Sequence, residues 1–123
     1  MTRTTLWLAA SLALLICVVP ACSTLAPGVK NQMGTIVAYV EGSPDQVTSA
    51  AEKALKEMSL TIDYNSATAL DGRILAHTAQ GTKVRIDVEQ SGENISKTSI
   101  RVGSFGDEGV SMAILNRIKE NLQ

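Results

Sequence analysis

Between Thr35 and Leu122 the apolar residues change their spacing three times, and the order of those changes leaves few folds open. Thr35-Ile-Val-Ala-Tyr-Val-Glu41 is a β-branched and aromatic run that predicts a strand. Gly42-Ser43-Pro44-Asp45-Gln46 then reads as a helix start. Ser43 can cap, Pro44 suits the first helical position and Gln46 completes a capping box. Val47, Ala50, Ala51, Ala54, Leu55 and Met58 recur at helical spacing, with Glu52, Lys53, Lys56 and Glu57 on the wet side. Leu60-Thr-Ile-Asp-Tyr64 alternates as a second strand, the polar residues from Asn65 to Gly72 turn the chain, and Arg73 to Ala79 gives a third. Gln80-Gly81 is a two-residue hairpin signal. In Thr82 to Glu89, Val84, Ile86 and Val88 point inward and four charges outward. After the turn at Ser91-Gly-Glu-Asn94, a fifth strand sets Thr98, Ile100 and Val102 inward and Lys97, Ser99 and Arg101 outward. Val110, Ile114, Leu115, Ile118 and Leu122 form the stripe of a last helix, with Arg117 and Lys119 near its C-terminus, where the helix dipole favours cations.

The predicted class is α+β, a two-layer sandwich of a five-stranded antiparallel sheet with two helices on one face, in the order β-α-β-β-β-β-α. That order resembles the arrangement of TATA-binding-protein-like and helix-grip domains, a likeness of architecture that carries no function. In it the first strand lies beside the fifth and its other side is a free edge. Ile36, Val37, Ala38, Tyr39 and Val40 are all apolar, and an apolar open edge invites pairing with another chain. Val37 and Tyr39 are therefore expected at an interaction edge, serving a two-fold dimer or an envelope partner by strand addition. The alternative is that the preceding segment, with Leu25 and Val29, folds back over it.

That preceding segment opens with Arg3 as its one charge, then Leu6 to Val19, almost unbroken apolar chain, then Pro20. Its 14 residues fall short of the roughly 20 that a membrane-spanning helix needs, and no basic cluster follows, so residues 1–21 read as an export signal. Val19-Pro20-Ala21-Cys22 resembles the lipobox of bacterial lipoproteins, which implies diacylglycerol on the Cys22 thiol, cleavage before it and acylation of the new amine. Cys17, preceded by Ile16, lacks the pattern. Two other outcomes suit the same residues: ordinary signal-peptidase cleavage after Ala21, releasing a secreted domain, or a Cys17–Cys22 disulfide. Ser23 to Gln32 is small, polar and broken by Pro27-Gly28, so residues 22–33 are expected to form a lipidated N-terminus and tether, and residues 34–123 one domain. Ser23 after the cysteine resembles an outer-membrane sorting signal, facing the periplasm.

Loss of residues 1–21 removes Arg3 from the chain's 11 basic residues, leaving 10 against 12 acidic. That balance is no nucleic-acid footprint and suggests no electrostatic adhesion to anionic lipid, so membrane attachment must come from acyl chains.

Catalytic and cofactor signals are sparse, and no catalytic residue, metal ligand or cofactor is assigned. His77 is the single histidine, no cysteine follows Cys22 to complete a metal site, and no G-x-S-x-G elbow is present. An ordinary half-exposed strand histidine is expected. Gly103-Ser-Phe-Gly106 before a helix could cradle an anion, but Asp107 and Glu108 follow where a phosphate loop has Lys and Ser/Thr. It reads instead as a tight turn, with Phe105 plugging the core and Asp107 capping the helix. Asp87 and Glu89 share a strand face with Lys83 and Arg85, a pattern for a solvated ion-pair ladder.

Gly81-Thr-Lys-Val-Arg-Ile86, Ser99-Ile-Arg-Val-Gly-Ser-Phe-Gly-Asp-Glu108 and Ile114-Leu-x-Arg-Ile118 resemble a family of small bacterial lipoproteins catalogued as a domain of unknown function. The resemblance implies a lipidated envelope protein and no activity. Two functional classes follow: a non-catalytic structural or interaction lipoprotein, or a small-ligand binder or enzyme using the groove between helix and sheet. With Tyr39, Tyr64 and Phe105 as the only aromatics after Cys22, that groove would be poorly lined for an apolar ligand, which favours the first.

Overall fold

The computed structural model describes residues 28–123; residues 1–21, expected to form an export signal, and Cys22 and Leu25 lie outside them. Eight elements follow in order: β1 (Val29–Gln32), β2 (Thr35–Glu41), α1 (Pro44–Glu57), β3 (Thr61–Ala67), β4 (Asp71–His77), β5 (Lys83–Gly92), β6 (Ile95–Val102) and α2 (Glu108–Asn121). The strands form one antiparallel sheet in the order β1-β2-β6-β5-β4-β3. Both helices pack on one face, α1 over β3 to β5 and α2 over β2 and β6.

The α+β class, the antiparallel sheet and the helix pair agree with the sequence. The strand count does not: six strands form where five were expected, because Val29–Gln32, expected in the tether, pairs with β2. Val29 lies opposite Ala38 and Gln32 opposite Thr35. The turn between them is Met33-Gly34, both with positive φ (52° and 85°), as in the two-residue hairpin turns whose twist matches that of the strands they join. Val29 is buried and joins the core.

The free edge expected on β2 is therefore filled from within the chain over Thr35–Ala38. Val37, assigned to that edge, is only 6% exposed, whereas Tyr39 is 57% exposed. Along Thr35–Ala38 the edge already pairs with Val29–Gln32 and offers no template for a second chain, whereas Tyr39–Glu41 have no strand partner on that side among the described residues. Of the two outcomes the sequence left open, the segment carrying Val29 folds back over the strand.

Other corrections concern turns. Asn65 to Ala67 extend β3 rather than turning the chain, and pair with Ile74, Arg73 and Gly72. Gln80-Gly81 lies in a five-residue loop, closed by Thr78 N–H to Thr82 O at 2.9 Å and Gly81 N–H to Thr78 O at 2.9 Å. The core is aliphatic. Val47, Ala51, Ala54 and Leu55 of α1 and Ile114, Leu115 and Ile118 of α2 meet Ile36, Ile74, Val84, Ile86, Val88, Ile100 and Val102 of the sheet. At α1 the Ser43 backbone N–H donates to Gln46 Oε1 at 3.1 Å, the Gln46 half of the expected capping box. The Ser43 side chain hydrogen-bonds the Asp45 carboxyl and holds it below the usual carboxylate range. Gly72 has a steric role, since a Cβ there would collide with the Thr48 side chain of α1.

Candidate functional site

Phe105, expected to plug the core, is 96% exposed. Its loop is tied down at both ends. Gly103, at φ 71°, donates its N–H to Lys83 O at 2.8 Å, and the Asp107 N–H returns to Val102 O at 2.8 Å. Asp107 Oδ1 accepts from the Val110 N–H at 3.0 Å, the helix cap the sequence predicts. Loop closure and helix capping leave Phe105 at the apex.

The β1–β2 turn sits against this loop. Arg101, outward on β6, donates from Nη1 to Met33 O at 2.8 Å and from Nη2 to Ser104 O at 2.5 Å, so one guanidinium clamps the carbonyls of both loops. Its planar fork makes this double contact; an ammonium is a single point of charge. Asn31 Oδ1 accepts the Gly34 N–H at 2.9 Å, while Asn31 Nδ2 donates to Glu108 Oε2 at 2.6 Å, tying β1 to the start of α2. Between these bonds the two backbones touch. A Cβ on Gly34 would lie 2.6 Å from Phe105 O, and one on Gly106 would overlap the Gly34 backbone, so neither position admits a side chain. Met33, the other residue at this apex, is 94% exposed and holds φ 52°, a conformation costing a non-glycine residue about 1 kcal/mol or more. The result is a stitched platform bearing two large apolar side chains in solvent.

The remaining sequence candidates lie elsewhere. His77 Nδ1 is 2.8 Å from Asp63 Oδ2 on the open face of the sheet, both side chains partly exposed. Among the described residues no group of three or more His, Cys, Asp or Glu is placed to hold a metal ion. Asp87 takes Arg73 Nε and Arg85 Nε, each at 2.6 Å, so of the ladder expected from Lys83, Arg85, Asp87 and Glu89 the Arg85–Asp87 pair forms and Arg73 joins it from β4. The Arg73 guanidinium is held still more firmly protonated by its hydrogen bond to Asp87. The helix–sheet groove considered for a ligand is filled by side chains with no exposure, Val47, Leu55, Ile114 and Ile118 among them. The larger depressions include one of about 580 Å³, open and flanked by Gln46, Ser49, Lys53 and Asn121 at the helix ends. Among the described residues no helix is long and apolar enough to cross a membrane.

The Arg101-to-Glu108 segment that builds the platform falls within a longer match. The family described as "Protein of unknown function (DUF3568)" matches residues 5–121. The chain belongs to this family. No curated protein matches it. For this DUF3568 member the match begins ahead of the described fold, at residue 5, and spans the apolar run and Cys22.

The sequence could not have found the platform from periodicity. Val29-Lys-Asn-Gln32 contains one apolar residue and so carries no strand period, and Met33-Gly34 lacks the Asn or Asp that marks such turns. The available signal was the pair of glycines, Gly34 and Gly106, each one residue after a large apolar side chain.

Proposed function

We propose that this DUF3568 protein is a non-catalytic structural or interaction module of the bacterial cell envelope. It is held to the membrane by acyl chains on Cys22 and sorted by Ser23 to the periplasmic face of the outer membrane. The observation that carries the proposal is the sequence Val19-Pro20-Ala21-Cys22 directly after a 14-residue apolar run too short to span a bilayer. Lipidation requires a thiol at that position, and the chain offers one there and none beyond it. Support also comes from where the fold starts. Only residues 23–28 separate Cys22 from β1, so an anchored domain stays within roughly 20 Å of its membrane. One acyl chain gives marginal attachment and two or more a stable one, at about 0.8 kcal/mol per buried methylene. The packed helix–sheet interface supports an interaction role over a ligand groove.

Expression in a Gram-negative host followed by intact-mass measurement tests the anchor. The expected result is a chain beginning at Cys22 with the added mass of its acyl groups and recovered in the detergent phase, with Cys22→Ala releasing the domain or stalling its processing. A processed Cys22→Ala chain that still partitions into detergent would overturn the proposal.

A further inference from the structure

We infer that the paired apex of Met33 and Phe105 is a shallow membrane-docking point, which seats the domain on the uncharged interface of the bilayer that carries its own anchor. The two side chains are 94% and 96% exposed, although the surrounding backbone is fixed by Arg101, Asn31 and the Gly34–Gly106 contact. The described fold assigns neither side chain a packing role: the Arg101 clamp takes the Met33 and Ser104 carbonyls, and Asp107 caps α2.

Size favours a lipid surface over a protein. Two such side chains present roughly 350 Å² of apolar surface, well under the ~800 Å² per partner of a stable protein interface. That area is nonetheless enough to add to an anchor that already holds the domain at the surface, where burial of a few apolar groups decides orientation. Reach allows it. β1 runs about 13 Å from the tether to the turn, and residues 23–28 span at most about 20 Å, so the apex can return to the plane in which Cys22 would sit. Charge indicates which lipid. The acidic groups beside the apex are engaged internally, Glu108 by Asn31 and Asp107 by the Val110 N–H, and Arg101 is spent on carbonyls. The charged groups around the apex balance, Asp107 and Glu108 against Arg101 and Lys83, so no excess positive charge favours anionic headgroups, and docking on an uncharged lipid should be apolar and indifferent to salt.

The inference rests on the lipid-anchor reading, and the experiment reads the two separately. In the full chain carrying Trp7→Phe, Phe105→Trp places the sole tryptophan at the apex, and Leu70→Trp, in the exposed β3–β4 turn, places it elsewhere. Each chain, processed in the expression host, is reconstituted in phosphatidylcholine vesicles with and without brominated acyl chains. The mass on Cys22 is measured in the same samples. The expected result is a blue-shifted emission from the Phe105→Trp chain, quenched by brominated lipid several-fold more strongly than that of the Leu70→Trp chain, unchanged by salt and weakened by Met33→Ser. Emission from the Phe105→Trp chain like that of a solvated indole overturns the inference, whatever the mass on Cys22. A blue shift without bromolipid quenching also overturns it, since the apex would then be buried in protein. Quenching of the apex indole in a chain with unmodified Cys22 would support the apex while removing the anchor.

Discussion

Two turns of this sheet each lift a large apolar residue into water, and they are built in opposite ways. At the β3–β4 turn, Leu70 is 67% exposed and most of the hydrogen bonds are local. Thr68 Oγ1 accepts the N–H groups of Leu70 and Asp71, each at 3.1 Å, and the Thr68 N–H reaches Asp71 O at 2.7 Å. At the Met33–Phe105 apex the bonds join residues far apart in sequence: Arg101 to Met33, Asn31 to Glu108, and the touching backbones of Gly34 and Gly106. A local turn forms with its hairpin and tolerates change in the rest of the molecule. An apex assembled from two chain segments exists only when the sheet has closed, so its shape depends on tertiary packing.

The comparison breaks most sharply at the glycines. Gly106→Ala should cost about 3 kcal/mol, because its Cβ overlaps the Gly34 backbone and its φ is 77°. Gly81→Ala, at φ 85° but with nothing within 4 Å, should cost only about 1 kcal/mol. Thermal melts of the two variants check the difference, and equal losses would mean that the two loops do not touch in solution.

A smaller effect is expected at the clamp. Arg101→Met should cost about 2 kcal/mol through two lost charge-assisted bonds, and Arg101→Lys should recover only part of it because one ammonium does not span both carbonyls. Thr68→Val, which removes the local bonds, should cost about 1 kcal/mol. Hydrogen exchange locates each loss: Arg101→Met should loosen both Met33 and Phe105, Thr68→Val the β3–β4 turn alone.

The smallest effect is a pH dependence on the β3 side of the molecule. Glu52 on α1 is held below the usual carboxylate range by its hydrogen bond from Lys56, with further help from Lys56's charge and from Asn65 of β3. A depressed folded value means the contribution is present at neutral pH and lost as pH falls through that value. Melts taken downward from about pH 5 should fall slightly less steeply for Glu52→Gln than for the wild type. Identical slopes would show that this exposed carboxylate is not coupled to folding.

Legibility in the sequence followed the range of the interactions. The stripe of α1, the inward Val84, Ile86 and Val88, the inward Thr98, Ile100 and Val102, and the Asp107 cap were all readable, because each rests on a repeat or a spacing of a few residues. The cover over the Val37 part of the expected edge went unread because Val29–Gln32 is too short and too polar to show a period. Phe105 was misplaced for a related reason. Large apolar residues are usually buried, and the contact of Gly106 with Gly34 that holds its loop against the β1–β2 turn leaves no local signal.

By itself the amino-acid sequence determined the α+β class and the faces of both helices and of two strands, and it offers Cys22 as a candidate lipid site. These are matters of local periodicity and motif, in which each residue's role depends on neighbours within a turn or two. Only the tertiary structure decided that a sixth strand covers Thr35–Ala38 of the edge and that Arg101 reaches a carbonyl 68 residues away to join two loops. It alone placed Met33 and Phe105 together in solvent. Those outcomes depend on which backbones come into contact after the sheet forms, and a contact between distant segments leaves no period in either of them.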